Sequence, residues 1–121
     1  MEEGEAMAFS IVQALIEWLP GEIGAPAHDA APDPRPRKFA TIERVGGESG
    51  VGIDRPVLAV QLWAPTAAEA EELALECRDA LNLRAASIPR VHGAHASSPV
   101  SFPDPDSRSA RYQITVRATT Q

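Results

Sequence analysis

The chain lacks most of what a chemistry-bearing domain carries. It has a single cysteine, Cys77, which rules out an internal disulfide or a multi-cysteine zinc site and suits synthesis in a reducing cytoplasm. No apolar run reaches the roughly 18 residues needed to cross a bilayer. The greasiest segment, residues 7–19, follows Glu2, Glu3 and Glu5 instead of the basic start of a signal peptide, so export is not expected. Basic side chains are outnumbered 17 to 11, and a formal charge of −6 repels nucleic acid and anionic membranes, which argues against a sequence-reading DNA binder. The glycines include neither G-x-x-x-x-G-K nor a G-x-G-x-x-G opening a helix, so no nucleotide loop is expected.

What is present is enough for one core. At 121 residues and 44% apolar side chains, a single domain is expected over residues 1–121. Apolar spacing predicts a first helix over residues 6–19, ended by Pro20 and Gly21. Its apolar arc takes in Met7, Phe9, Ile11, Val12, Leu15, Ile16, Trp18 and Leu19. That is wider than the stripe of about 100° that a surface helix needs. Two readings fit: a deeply buried helix, or one whose Phe9, Val12 and Ile16 meet a neighbouring subunit.

Residues 20–37, rich in Pro, Ala, Gly and Asp, are expected to form a long flexible loop. Its basic end, Arg35, Arg37 and Lys38, is a candidate contact for a partner, or else a solvated loop end. A strand is expected over 38–45, then a wide glycine-rich connection through Gly46, Gly47, Gly50 and Gly52, with Glu48 as a further partner-contact candidate. A strand over 57–64, apolar on both faces, belongs inside a sheet.

Thr66-Ala67-Ala68-Glu69 is a capping box, and beyond it Ala70, Leu73, Ala74, Cys77, Ala80 and Leu81 recur at helical spacing, predicting an amphipathic helix over 67–83. Cys77 falls on the buried stripe as an apolar filler. Leu75 points outward, either as an ordinary exposed leucine or as a subunit contact. Strands follow over 87–94, 99–102 and 110–119. The last alternates Tyr112, Ile114, Val116 and Ala118 with Arg111, Gln113, Thr115 and Arg117, so one face is buried and one wet.

Candidate chemistry is thin. His92 and His95 lie three apart in a strand-like stretch and point to opposite faces. Asp104 and Asp106 resemble the start of a calcium loop but lack the later ligands. No serine or cysteine has a base partner, so no catalytic, metal or cofactor site is expected.

Read in order, Gly46-Gly47, Asp54-Arg55-Pro56 leading into Val57-Leu58-Ala59-Val60-Gln61-Leu62-Trp63-Ala64, the capped helix, and Pro103-Asp104-Pro105-Asp106 before Arg111-Tyr112-Gln113-Ile114-Thr115-Val116 make a recognisable series. It resembles the tail-terminator (tail-completion) proteins of long-tailed bacteriophages with non-contractile tails, particularly those infecting actinobacteria, over residues 5–119. The loop at 20–37 is longer than that family's connections.

The resemblance implies an α/β (α+β) domain in which two helices pack on a mostly antiparallel sheet of four to five strands. It further implies a structural virion protein at the head-proximal end of the tail, assembled in the host cytoplasm. Six copies would form a ring on the last ring of the major tail tube protein, stop tube polymerisation and offer the head-tail connector or stopper a docking surface. Genomic DNA would pass through the lumen without specific binding, and no membrane would be involved. A head-completion or stopper subunit is the near alternative. A small enzyme using His92, His95 or Asp104 is the distant one.

Overall fold

The computed structural model describes residues 8–121, so the expectations placed on Ala6 and Met7 lie outside the described residues. Helix α1 runs from Ile11 to Ile23, later in the chain than the sequence suggests. The Ser10 hydroxyl accepts the Gln13 amide at 3.1 Å and sets its start, leaving Phe9 just ahead of the cap. Nor does the helix stop at Pro20. The proline forfeits one amide, but Leu19 and Ile23 continue the buried stripe begun by Ile11 and Leu15 at four-residue spacing. The exit is Gly24, at φ 69°, whose N–H bonds the Pro20 carbonyl at 3.0 Å.

The expected flexible loop is therefore shorter. Ala25 and Ala27 are buried, and strand β1 (Ala27–His28) pairs in parallel with β2 (Phe39–Gly50). Between α1 and β2, residues 24–26 and 29–38 are without regular structure. The wide glycine connection is also corrected: β2 continues to Gly50, and β3 (Ile53–Ala64) starts after the two-residue turn Val51-Gly52. A bulge between Arg44 and Gly46 absorbs the irregularity. Gly47, at φ 130°, lets the two backbones come so close that a Cβ there would collide with the Arg55 carbonyl oxygen and the Pro56 Cα. The glycines keep the ladder going where they were expected to end it.

Helix α2 spans Ala67–Arg84, capped as the sequence predicts by the Thr66 hydroxyl accepting the Glu69 amide at 3.2 Å. The Glu69 carboxylate turns to the Thr66 hydroxyl and to Arg37 in place of the Thr66 backbone amide. A 3-10 turn (Ala85–Ser87) leads to β4 (Val91–Ala96), which begins later than expected. β5 (Val100–Ser101) and β6 (Ala110–Thr120) complete the chain.

The sheet is ordered β1-β2-β3-β6-β4, with β5 beside β6, and is antiparallel except at β1. Both helices cover one face. Leu58, Val60, Leu62, Ile114 and Val116 point into it against Leu15, Leu19, Leu73, Cys77 and Leu81, all buried. The arrangement is the α+β sandwich of two helices on a mostly antiparallel sheet that the sequence implies, with six strands in place of four to five. Arg84 donates to Glu22 at 2.6 Å, tying α2 to α1. Asn82 reaches from α2 to the margin of β4, accepting the Ala96 amide at 2.7 Å and donating to its carbonyl at 3.3 Å.

Candidate functional site

The sheet face away from the helices carries the polar half of each strand's alternation. One row across it reads His28, Thr41, Gln61, Gln113. The Thr41 hydroxyl donates to Gln61 at 3.2 Å, and the Gln61 amide donates to Gln113 at 3.1 Å. The Trp63 indole N–H in turn donates to Thr41 at 3.1 Å. Trp63 stacks on Phe39, and the guanidinium groups of Arg35 and Arg111 each lie 4.9 Å from its ring centre. Arg111 also donates to the Phe102 carbonyl at 2.7 Å, and Arg35 pairs with Asp104 at 3.6 Å. The loops at 29–38 and 102–109 thus close one half of this face with aromatic and cationic side chains.

The other half stays open and continues into an arm. Every residue of β2 from Glu43 to Gly50 is exposed, and Val51 at the turn is fully so. Val45 and Ile53 add further exposed apolar side chains. Arg44 grips Asp54 across the arm with two hydrogen bonds of 2.7 and 2.8 Å. Those bonds hold the Asp54 carboxyl below, and the Arg44 guanidinium above, its ordinary range. At the base of the arm, Gly47, Glu48, Arg55, Val57, Arg117 and Thr119 line an open cleft of about 460 Å³. His95 stands beside Arg117 in register on β4.

The residues singled out by sequence divide as follows. Phe9, Val12 and Ile16 are half-buried, packed against the core at its margin. Phe9, Ala14, Trp18 and Ile88 line a shallow apolar groove, Phe9 and Ala14 holding the two positions of a hydrophobic staple around the Ser10 cap. Leu75 is half-buried; the exposed leucine of α2 is Leu83. Arg35, Arg37 and Lys38 are engaged within the chain: Arg37 bonds both Glu69 oxygens at 2.7 and 3.2 Å, and Lys38 lies 3.7 Å from the same carboxylate. Glu48 is exposed on the arm, cross-strand from Arg55.

His92 and His95 are both exposed, flanking the irregularity at Gly93. The Asp104 carboxylate accepts the Asp106 amide at 3.2 Å, forming a turn of the kind its prolines suggest. Its carboxyl lies below the usual range because Ser107 and that amide hydrogen-bond to it. Burial pushes the Cys77 thiol up to about 12, which keeps it protonated and inert. Among the described residues no three His, Cys, Asp or Glu side chains are grouped to hold a metal, and no helix is long and apolar enough to cross a membrane.

Sequence reasoning missed the arm and its arginines. The available signal was the Val51-Gly52 pair between two β-like stretches, hidden by the surrounding glycines.

No curated protein matches the chain significantly. A family model described as Tail completion protein gp17 does match, over residues 10–121, from the Ser10 cap of α1 through β6. A match of that extent covers both helices and all six strands, so the chain belongs to the tail completion protein gp17 family and, with it, to the structural proteins of bacteriophage tails.

Proposed function

We propose that this protein is the tail terminator: a ring of six copies at the head-proximal end of the tail. It caps the last ring of the major tail tube protein, stops polymerisation and leaves an upper surface on which the head-tail connector docks. The observation that carries the reading is the arm. A two-stranded ribbon with exposed residues from Glu43 through Gly50 and apolar Val51 and Ile53 at its end has no cover from its own core. Isolated hairpins are marginal in water, so the ribbon gains from resting on another surface. A subunit that joins identical copies and ends a polymer needs such reach.

The function is structural, uses no cofactor and involves no catalysis. Six copies at −6 each carry −36, and a ring of that charge lets genomic DNA slide through the lumen without sticking. The protein works in the virion after assembly in the host cytoplasm and needs no membrane.

The test is co-expression with tube protein, with tube lengths measured by electron microscopy. The intact chain gives tubes of bounded length ending in a ring. A variant with residues 46–53 cut back to a two-residue Asn-Gly turn folds but no longer bounds them. A wild-type chain that stays monomeric beside tube protein while tubes grow without limit overturns the reading.

A further inference from the structure

Two oppositely charged surfaces lie on opposite layers of the subunit. On the uncovered sheet face, the cleft at the base of the arm presents Arg55 and Arg117, both exposed, with His95 alongside. Among the described residues neither arginine has a carboxylate within ion-pair distance. On the outer face of α2, Glu72 and Glu76 stand one helical turn apart beside Glu71, all exposed and also without an ionic partner among the described residues. Like charges at that spacing repel each other and weaken the helix unless a cation from elsewhere joins them. The same stripe ends seven residues on at Leu83, 74% exposed, and the cleft offers the half-buried Val57 as an apolar counterpart.

We propose that the arginine cleft of one copy receives the outer face of α2 from the next copy, with Arg55 and Arg117 against Glu72 and Glu76. The inference rests on the ring reading and names its interface. The geometry favours a ring over a two-fold pair. When a second copy lays its helix layer on the first copy's sheet face, the first copy's helix layer points away and stays free for a third. An interface repeated head to tail in this way closes into a ring when its rotation divides a full turn. Nucleic acid fits the cleft less well, because Glu48 lines it and the chain as a whole is acidic.

The test uses the full chain with two charge-reversed variants, Arg55→Glu/Arg117→Glu and Glu72→Arg/Glu76→Arg, weighed by native mass spectrometry with and without tube protein. Each variant alone is expected to stay monomeric, its concentration for ring formation raised at least tenfold. An equimolar mixture regains the ring mass, because reversed clefts then face reversed helices in alternation around an even-numbered ring. If either variant fails to fold by circular dichroism, Arg117→Gln and Glu76→Gln read the same contact as a weaker ring with lower salt tolerance. Rings of unchanged mass in both variants overturn this interface and leave the ring reading standing, as does a mixture that fails to reassemble. Loss of duplex DNA retention by the arginine variant, with its ring intact, assigns the cleft to nucleic acid and overturns it too. A wild-type chain that never forms a ring beside tube protein sinks both.

Discussion

Gly47 shows how much of this fold hangs on single backbone positions. Its φ of 130° and the close approach of Arg55 and Pro56 leave no room for a side chain, so Gly47→Ala must shift one strand of the arm away from the other. Such strain costs about 1–3 kcal/mol. The variant is expected to unfold at lower urea and to show amide shift changes concentrated at residues 44–57. Asp54 reports on the same ribbon through pH. Its carboxyl is held down chiefly by the hydrogen bonds from Arg44, so its folded pKa lies below the unfolded value of about 3.9. The stability it adds is complete above the unfolded value and disappears as pH falls through the folded one. Replacing Arg44 with Met should therefore lower the urea midpoint at pH 6, by a gap that narrows as the pH falls below about 3.9. A gap that stays constant with falling pH would assign the loss to packing instead.

At the scale of elements, α1 depends on a compromise at Pro20. An interior proline costs about 3 kcal/mol, partly returned by its stiffening of the unfolded chain by up to about 1 kcal/mol. Burial of Leu19 and Ile23 is worth about 1.5–3 kcal/mol each and keeps the helix going. Pro20→Ala is expected to raise stability by about 2 kcal/mol, read as a higher melting temperature with the fold unchanged. The same position marks where sequence reading falls short. Helix α2 and strand β6 were legible because capping and strict alternation are local signals. The last turn of α1, the short β1 and the arm were not, because long-range partners decide them: Ile23 and Ala27 are drawn in by the core, and Gly46 and Gly47 are held in a ladder by β3. The surface proposed for assembly was least legible of all. Arg55 and Arg117 are 62 positions apart and become neighbours only across the paired strands β3 and β6, while Arg37, which looked free, is taken by Glu69.

For the molecule as a whole, each layer has one face spent on the common core and one left for the surroundings. The helix layer turns Glu71, Glu72 and Glu76 outward, and the open half of the sheet layer turns out Arg55 and Arg117 beside Glu48, with apolar Val51 and Ile53 at the end of the ribbon. The bond pair between Asn82 and Ala96 bears on how such units gather. By occupying both main-chain groups that Ala96 turns away from β6, the asparagine amide plugs the sheet's far margin at that residue, where another polypeptide would otherwise dock by continuing the weave. Growth strand upon strand, the route to insoluble fibrils, is obstructed at that residue.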